Sequence, residues 1–440
     1  MPRKILLSAA AALGIAALGA VTATRAAEPA AKAAAIVLKA ARMFDGKSDR
    51  ATSPGELLVE GGRITRVGPG AAPPGATVID LGDATLLPGF IDAHTHLSFE
   101  SSENWYRDFY DGVMRFPAEQ AHYAALYARR TLEAGFTTVR DVGSGDYVDV
   151  GLRNAIAAGI VPGPRMLVAI HAIGATGGHS DGAPIPPDRV KPSGPIDGIC
   201  NGPDECRAAV RYQIKFGADV IKFMPSGGVL SLSDPVDAPE LSQAEMNAIV
   251  EEAHHWGRKV AAHCHGDVAG RMAIEAGVDS IEHGSFLKPD TLALMKQKGV
   301  YLVPTLLAGE WTGGKSERLP PVIAVKAKAA LAARSDMFRN ALRLGVRIAF
   351  GTDSAVSPHG LNAQEFALMT QLGMPAAAAL RAATAGAADL LGISNETGTL
   401  ESGKAADIVA LPGDPLADIR ATEHPLLVMK SGQVVVHRER

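Results

Sequence analysis

The histidines at positions 94, 96, 263 and 283, with Lys222 and Asp353, carry the chemistry. His94 and His96 lie two apart in the apolar run GFIDAHTHL. Side chains alternate along an extended strand, so both imidazoles project from one face and can grip a single metal ion. A pair of core histidines is the plainer alternative, but their place at the mouth of a strand after Pro88-Gly89 favours ligation. His263 in VAAHCH and His283 in SIEHG could hold a second ion or complete the first. Asp353, in GTDS, offers a carboxylate that can bind metal and accept a proton from water acidified by zinc. Lys222, in DVIKFM, is a cation where cations should repel metals. Either its neutral amine reacts with carbon dioxide to give an anionic carbamate able to bridge two ions, or it pairs with a substrate carboxylate. The residues alone leave both open.

Other histidines form a second tier. His265 follows the ligand candidate His263 by two positions, hence on the same face but further out, where it could polarise a carbonyl or hold an oxyanion. His179, in the loop GATGGHSDGAP, could reach a substrate carboxylate or simply face solvent. His359 in SPHGLN is a weaker candidate, and His254 and His255 read as outer-helix residues. Cys264, between two histidines, points into packing.

The elements that must position these groups are eight strand-like runs: GFIDAHTHL, TTVRDVG, RMLVAI, DVIKFM, VAAHCH, SIEHG, YLVPTL and RIAFGTDS. Helix-compatible stretches such as AEQAHYAALYARRTLEAG and SQAEMNAIVEEAHHWG alternate with them. That alternation predicts an α/β fold, a (β/α)8 TIM-like barrel whose chemistry gathers at the C-terminal strand ends. A doubly wound open sheet is disfavoured because no glycine-rich phosphate turn follows the first strand. Residues 36–86 and 397–440 read instead as short strands with glycine turns, predicting one small β-sandwich built from both termini around a barrel spanning 87–396.

At 440 residues, 47% hydrophobic and with a net charge of −4, the composition is globular and shows no basic run, which excludes a nucleic-acid partner. Arg3 and Lys4 precede an Ala/Leu-rich run and small residues around Ala26, the pattern of a cleaved signal peptide over 1–26. The run is short for a membrane span, so a periplasmic or secreted protein with no stable span is expected. Three cysteines make no disulfide framework, although Cys200 and Cys206 in GICNGPDEC could bridge or stay as two thiols at the start of a helix.

Taken together, HTH, the lysine of ADVIKFMPSGG, VAAHCHG, IEHG and GTDS resemble the amidohydrolase superfamily, in its order and through essentially all of the mature chain. KFMPSGG and HCHG resemble its branch of imidazolonepropionase-like Xaa-Pro dipeptidases, carboxypeptidases and ochratoxin-hydrolysing amidohydrolases. The resemblance implies two zinc ions per chain: His94 and His96 on one, His263 and His283 on the other, carboxylated Lys222 between them, and Asp353 as ligand and proton shuttle. It implies hydrolysis of an amide bond in a dipeptide or N-acyl amino acid by a metal-bridging hydroxide. Relatives of this branch often form large homo-oligomers. A cyclic amidohydrolase or heterocycle deaminase is the alternative enzyme, disfavoured by the lysine. A periplasmic metal- or ligand-binding protein is the alternative without catalysis, disfavoured by the complete set of ligands.

Overall fold

The computed structural model describes residues 35–182, 185–186 and 188–438; the segment 1–26, expected to be a signal peptide, lies outside them. Eight short parallel strands form the centre. β1 (Phe90–Thr95), β2 (Phe136–Asp141) and β3 (Arg165–Val168) pair in one ladder. β4 (Val220–Phe223), β5 (Lys259–Cys264), β6 (Ser280–His283), β7 (Tyr301–Val303) and β8 (Arg347–Ile348) pair in another.

Two seams close these ladders into a TIM-like barrel. At the first, Ile173 N donates to Lys222 O and Met224 N to Ile173 O, both at 2.8 Å. At the second, Ala93 N donates to Phe350 O (2.9 Å), Asp353 N to His94 O (2.8 Å) and His96 N to Ser354 O (2.9 Å). The eighth run, RIAFGTDS, gives only a two-residue strand against β7, because beyond Ala349 its hydrogen bonds pass to Ala382 and β1.

Every residue of β1, β2, β4 and β6 is buried, as expected where helices cover a parallel sheet. The helix Gln243–His255 shows how the outer layer is specified. Ser242 and Glu245 form a capping box at its start, and Met246, Ile249, Val250 and Ala253 recur at helical spacing to pack inward. Cys200 and Cys206 are joined by a disulfide just before and inside the helix Pro203–Lys215.

Two further sheets lie at the chain ends. One orders Arg63–Val67, Gly55–Glu60, Ile36–Ala40 and Thr77–Asp80; the other orders Gln433–His437, Leu427–Lys430, Ile408–Pro412, Ala84–Pro88 and Arg42–Met43. Leu38, Leu57 and Ile64 from the first meet Leu86, Ile408 and Met429 from the second in a core of their own. Arg165 pairs with the buried Asp407 at 2.6 Å between the barrel and this separate sheet domain. Among the described residues, no helix is long and apolar enough to cross a membrane.

Candidate active site

The strand ends deliver the predicted residues to one place. His94 leaves β1, Lys222 lies on β4, His263 on β5, His283 ends β6, and Asp353 follows β8. Asp353 Oδ1 lies 3.5 Å from His94 Nε2 and 3.4 Å from His96 Nε2. The ligand atoms of His94, His283 and Asp353 lie within 4.8 Å of one another, and so do those of His263, His265 and His283. His283 therefore sits between two potential three-donor groups. His265, expected further out along the strand, is itself in the donor cluster: β5 ends at Cys264, and the chain then bends so that His265 N donates to Ser226 Oγ at 2.9 Å.

Most of these rings are held by the nitrogen that faces away from the cluster. His94 Nδ1 bonds the Glu282 carboxylate at 2.8 Å and His96 Nδ1 the Gly143 carbonyl at 2.8 Å. Both partners only accept, so Nδ1 carries a proton and Nε2 is the atom turned toward the cluster; at His96 burial alone would lower the imidazole, but its hydrogen bond with Asp353 raises it above the ordinary histidine value. His283 Nδ1 meets Thr305 Oγ1 at 2.7 Å and His265 Nδ1 meets Ser285 Oγ at 2.9 Å. His283 and Asp353 both adopt left-handed backbone, with φ of 68° and 57°, as does Thr305 at 46°. Such conformations cost roughly 1–3 kcal/mol each in residues other than glycine and cluster at functional sites.

Burial sets the charges. It pushes His94 down to about 4, with Lys222 adding to the effect, and His265 down to about 3. His263 and His283 are held well below the ordinary histidine value for the same reason, so these imidazoles are neutral at pH 7. Burial alone would raise Asp353, but the neighbouring His94 and His96 hold it below the usual carboxylate range. Lys222 is only 1% exposed, and burial pulls its ammonium down to about 8. Among the described residues no hydrogen bond or ion pair reaches its Nζ.

A cavity of about 780 Å³ adjoins the cluster through His179, which lines it. Phe99, Trp105, Phe109, Leu230, Leu232 and Trp311 give it an apolar wall, and His179 lies at its edge. His179 stacks on His263 with ring centroids 4.4 Å apart, and its Nδ1 is 3.0 Å from Ser231 Oγ. His359 is buried and bridges Ser354 Oγ (3.1 Å) to the Phe99 carbonyl (2.8 Å), bracing the loop rather than facing the cluster. His254 is on the surface, 3.0 Å from Asp279.

Three supporting residues escaped the sequence reading. Glu282 is wholly buried and takes hydrogen bonds from Arg140 Nη2 (2.8 Å) and Ser280 Oγ (2.5 Å) besides its bond with His94. Arg140, also buried, donates to the Ala93 carbonyl at 2.6 Å. Asp92 accepts from His94 N, Thr352 N, Thr352 Oγ1 and Asn362 Nδ2, tying β1 to the Asp353 turn. The available signal was charge inside apolar strand runs, where a barrel interior demands a partner.

Residues 85–435 match the model of the amidohydrolase family. The ochratoxinase of Aspergillus niger is 35% identical over 359 residues, covering 78% of this chain and 73% of that protein. A solved Xaa-Pro dipeptidase with methionine bound in the active site superposes with a TM-score of 0.86 at 39% identity, covering 91% of this chain and 99% of that one. The crystal structure of A. niger ochratoxinase superposes with a TM-score of 0.82 at 30% identity, covering 92% and 96%. Fold, family match and relatives agree: the chain belongs to the amidohydrolase family and is a hydrolase acting on amide bonds.

Proposed function

We propose that the chain cleaves the amide bond of a dipeptide or N-acyl amino acid at a centre of two zinc ions. The observation that carries this reading is the convergence of five neutral or acceptor-held histidines, Asp353 and the buried Lys222, next to a cavity that reaches them through His179. The donor set fits the metal. His94 and His96 turn Nε2 toward the cluster with Nδ1 held by acceptors, and a Lys222 amine brought to about 8 is neutral often enough to take up carbon dioxide and become an anion. His94, His96 and Asp353 would hold one ion, His263 and His283 the other, and carboxylated Lys222 would join them. Bound zinc supplies Lewis acidity, polarising the scissile carbonyl and acidifying water.

The chain's own groups do the rest. Asp353, ionised at neutral pH, accepts the proton of the attacking water and passes it to the leaving amine. His265 donates to the oxygen that becomes negative as the carbonyl turns tetrahedral. His179, at the cavity edge, meets the substrate's carboxylate end. The names of the dipeptidase and ochratoxinase relatives support a substrate with a free carboxylate beside the amide, and the apolar cavity wall supports bulky flanking groups.

The test is zinc-loaded protein on dipeptides ending in Pro, Lys, Arg or Phe, alongside ochratoxin-like aryl amides, with metal counted by elemental analysis. Turnover of this panel with two ions per chain is expected. Turnover confined to cyclic amides or heterocycles, or full activity with one ion, would overturn the reading. We also propose export to the periplasm or outside the cell, with a mature N-terminus within about five residues of Ala26. An intact Met1 on recovered extracytoplasmic protein would contradict it.

A further inference from the structure

The segment Ser226–Pro235, just after β4, forms neither helix nor strand, yet it touches three histidines of the site. Ser226 Oγ accepts from His265 N at 2.9 Å, the Gly227 carbonyl is 3.4 Å from His263 Nε2, and Ser231 Oγ is 3.0 Å from His179 Nδ1. It packs so closely on His179 that a Cβ at Gly228 would fall 2.0 Å from that ring. Leu230 and Leu232 of the same segment line the cavity. With two glycines and three serines, the segment has little intrinsic stiffness.

Its support comes from outside. Lys326, on the helix Pro321–Leu344, is 8% exposed and reaches into the turn. Its Nζ donates to the carbonyls of Gly228 (2.7 Å), Ser231 (2.7 Å) and Asp234 (3.1 Å). Those three bonds use every proton of the ammonium. Asp234 Oδ2 closes the same turn from within by accepting from Gly228 N at 2.6 Å.

We propose that Lys326 is a positioning residue: its buried ammonium cages the turn 228–234 and so sets the His179 ring and the Leu230–Leu232 wall against the histidine cluster. The side chain acts on substrate binding through His179 and the wall, and holds neither metal nor reacting atoms. The proposal rests on the hydrolytic reading only where kinetics are used.

The experiment compares wild type with Lys326→Met, Lys326→Arg and Ser231→Ala. In Lys326→Met, amide hydrogen exchange over 228–234 should rise at least about ten-fold while the barrel strands keep their protection. KM should rise about ten-fold with kcat changed less than about three-fold and zinc content unchanged, because the loss is in ground-state binding. Lys326→Arg, which keeps the charge with a different fork of donors, should give intermediate values. Ser231→Ala should raise KM with a smaller rise in exchange than Lys326→Met, since it cuts the link to His179 and the Ser231 Oγ bond to the Gly228 carbonyl (3.1 Å) but leaves the three Lys326 bonds to carbonyls in place. Wild-type exchange and KM in both Lys326 variants, or faster exchange spread evenly over the chain with unchanged KM, would overturn the proposal. If Lys326→Met does not fold, Lys326→Arg and Ser231→Ala decide by the same criteria. Localised exchange in Lys326→Met, with wild type turning over none of the amide panel, would reject the hydrolytic reading and leave the clamp standing.

Discussion

Replacing Glu282 by Gln should separate the fold from the metal site in a way that can be measured. The carboxylate is wholly buried, and although burial alone would raise it, Arg140 and His94 bring it down to about 2 from an ordinary 4.5. At 1.36 kcal/mol per pH unit that difference corresponds to about 3 kcal/mol of stability. It agrees with the roughly 3–5 kcal/mol expected on breaking a buried ion pair, since Arg140 would be left facing an uncharged amide. The amide also orients His94 less well, which should weaken zinc binding by about 10- to 100-fold. The sign of the pH dependence follows from a depressed acid. The contribution of Glu282 is complete above about pH 4.5 and is lost as pH falls toward 2. Urea unfolding of metal-free protein at pH 7 and at decreasing pH should therefore show a gap between wild type and Glu282→Gln that closes with acid. Zinc titration against a competing chelator reads the second effect. A double replacement of Arg140 and Glu282 by Met should recover most of the stability but not the zinc affinity, because His94 still lacks its acceptor. Equal unfolding midpoints and equal zinc affinity in wild type and Glu282→Gln would refute the reasoning.

Lys222→Ala should lose the second ion and most activity, with partial rescue by short carboxylic acids. With the amine near 8, zinc loading of metal-free wild type should need bicarbonate and speed up as pH rises from 6 to 9, and bicarbonate-independent loading would count against the carbamate. Asp353→Asn should fold and keep much of its metal but lower kcat by several orders of magnitude, since an amide shuttles no protons; a modest kcat loss would remove that role. His265→Ala should lower kcat by roughly a hundred- to a thousand-fold with both ions retained. Loss of metal in that variant, with His263→Ala keeping both ions, would exchange the two assignments. The helix Trp105–Met114 buries none of its residues, and Tyr106, Tyr110, Val113, Met114 and Phe116 beside it stay largely exposed, which supports a homo-oligomer. Phe116→Glu should dissociate it in analytical ultracentrifugation, and a wild-type monomer would dismiss this expectation.

The barrel was legible in the alternation of eight apolar strand-like runs with helix-compatible stretches, and the site in the histidines that HTH, VAAHCH and SIEHG place at or near strand ends. The helix after Ser242 was legible for a different reason, its capping box and helical apolar spacing being written locally. Other features depend on contacts that no local pattern encodes. Arg140 and Glu282 meet across 142 positions, and only their charge within TTVRDVG and SIEHG hinted at a partner. His265 was misjudged in depth because strand alternation gives the face of a residue but not the bend after Cys264. The partners of the imidazoles, Gly143, Ser285 and Thr305, sit on loops, where sequence spacing carries little information. GICNGPDEC was compatible with a bridge or with two thiols; the fold sets the two Cα atoms 5.0 Å apart.

Closure of the barrel and shaping of the site use the same hydrogen bonds. The bond from Asp353 N to His94 O joins the last strand to the first, and it also fixes the turn in which Asp353 takes a positive φ. His96 N to Ser354 O does the same one step further out, while Ile173 N to Lys222 O closes the opposite seam at the lysine. His283 is braced on both sides, by its ring on Thr305 and by Gly284 N on the Cys264 carbonyl. A backbone that left His283 and Asp353 in relaxed strand geometry would send their side chains along the barrel wall rather than over its axis. Left-handed turns redirect them inward at a cost of roughly 1–3 kcal/mol each, which the surrounding packing must sustain. Because the seam at Asp353 and the braces around His283 impose those turns, the donors need little reorganisation on binding, and that preorganisation lets irregular strand ends act as a rigid site.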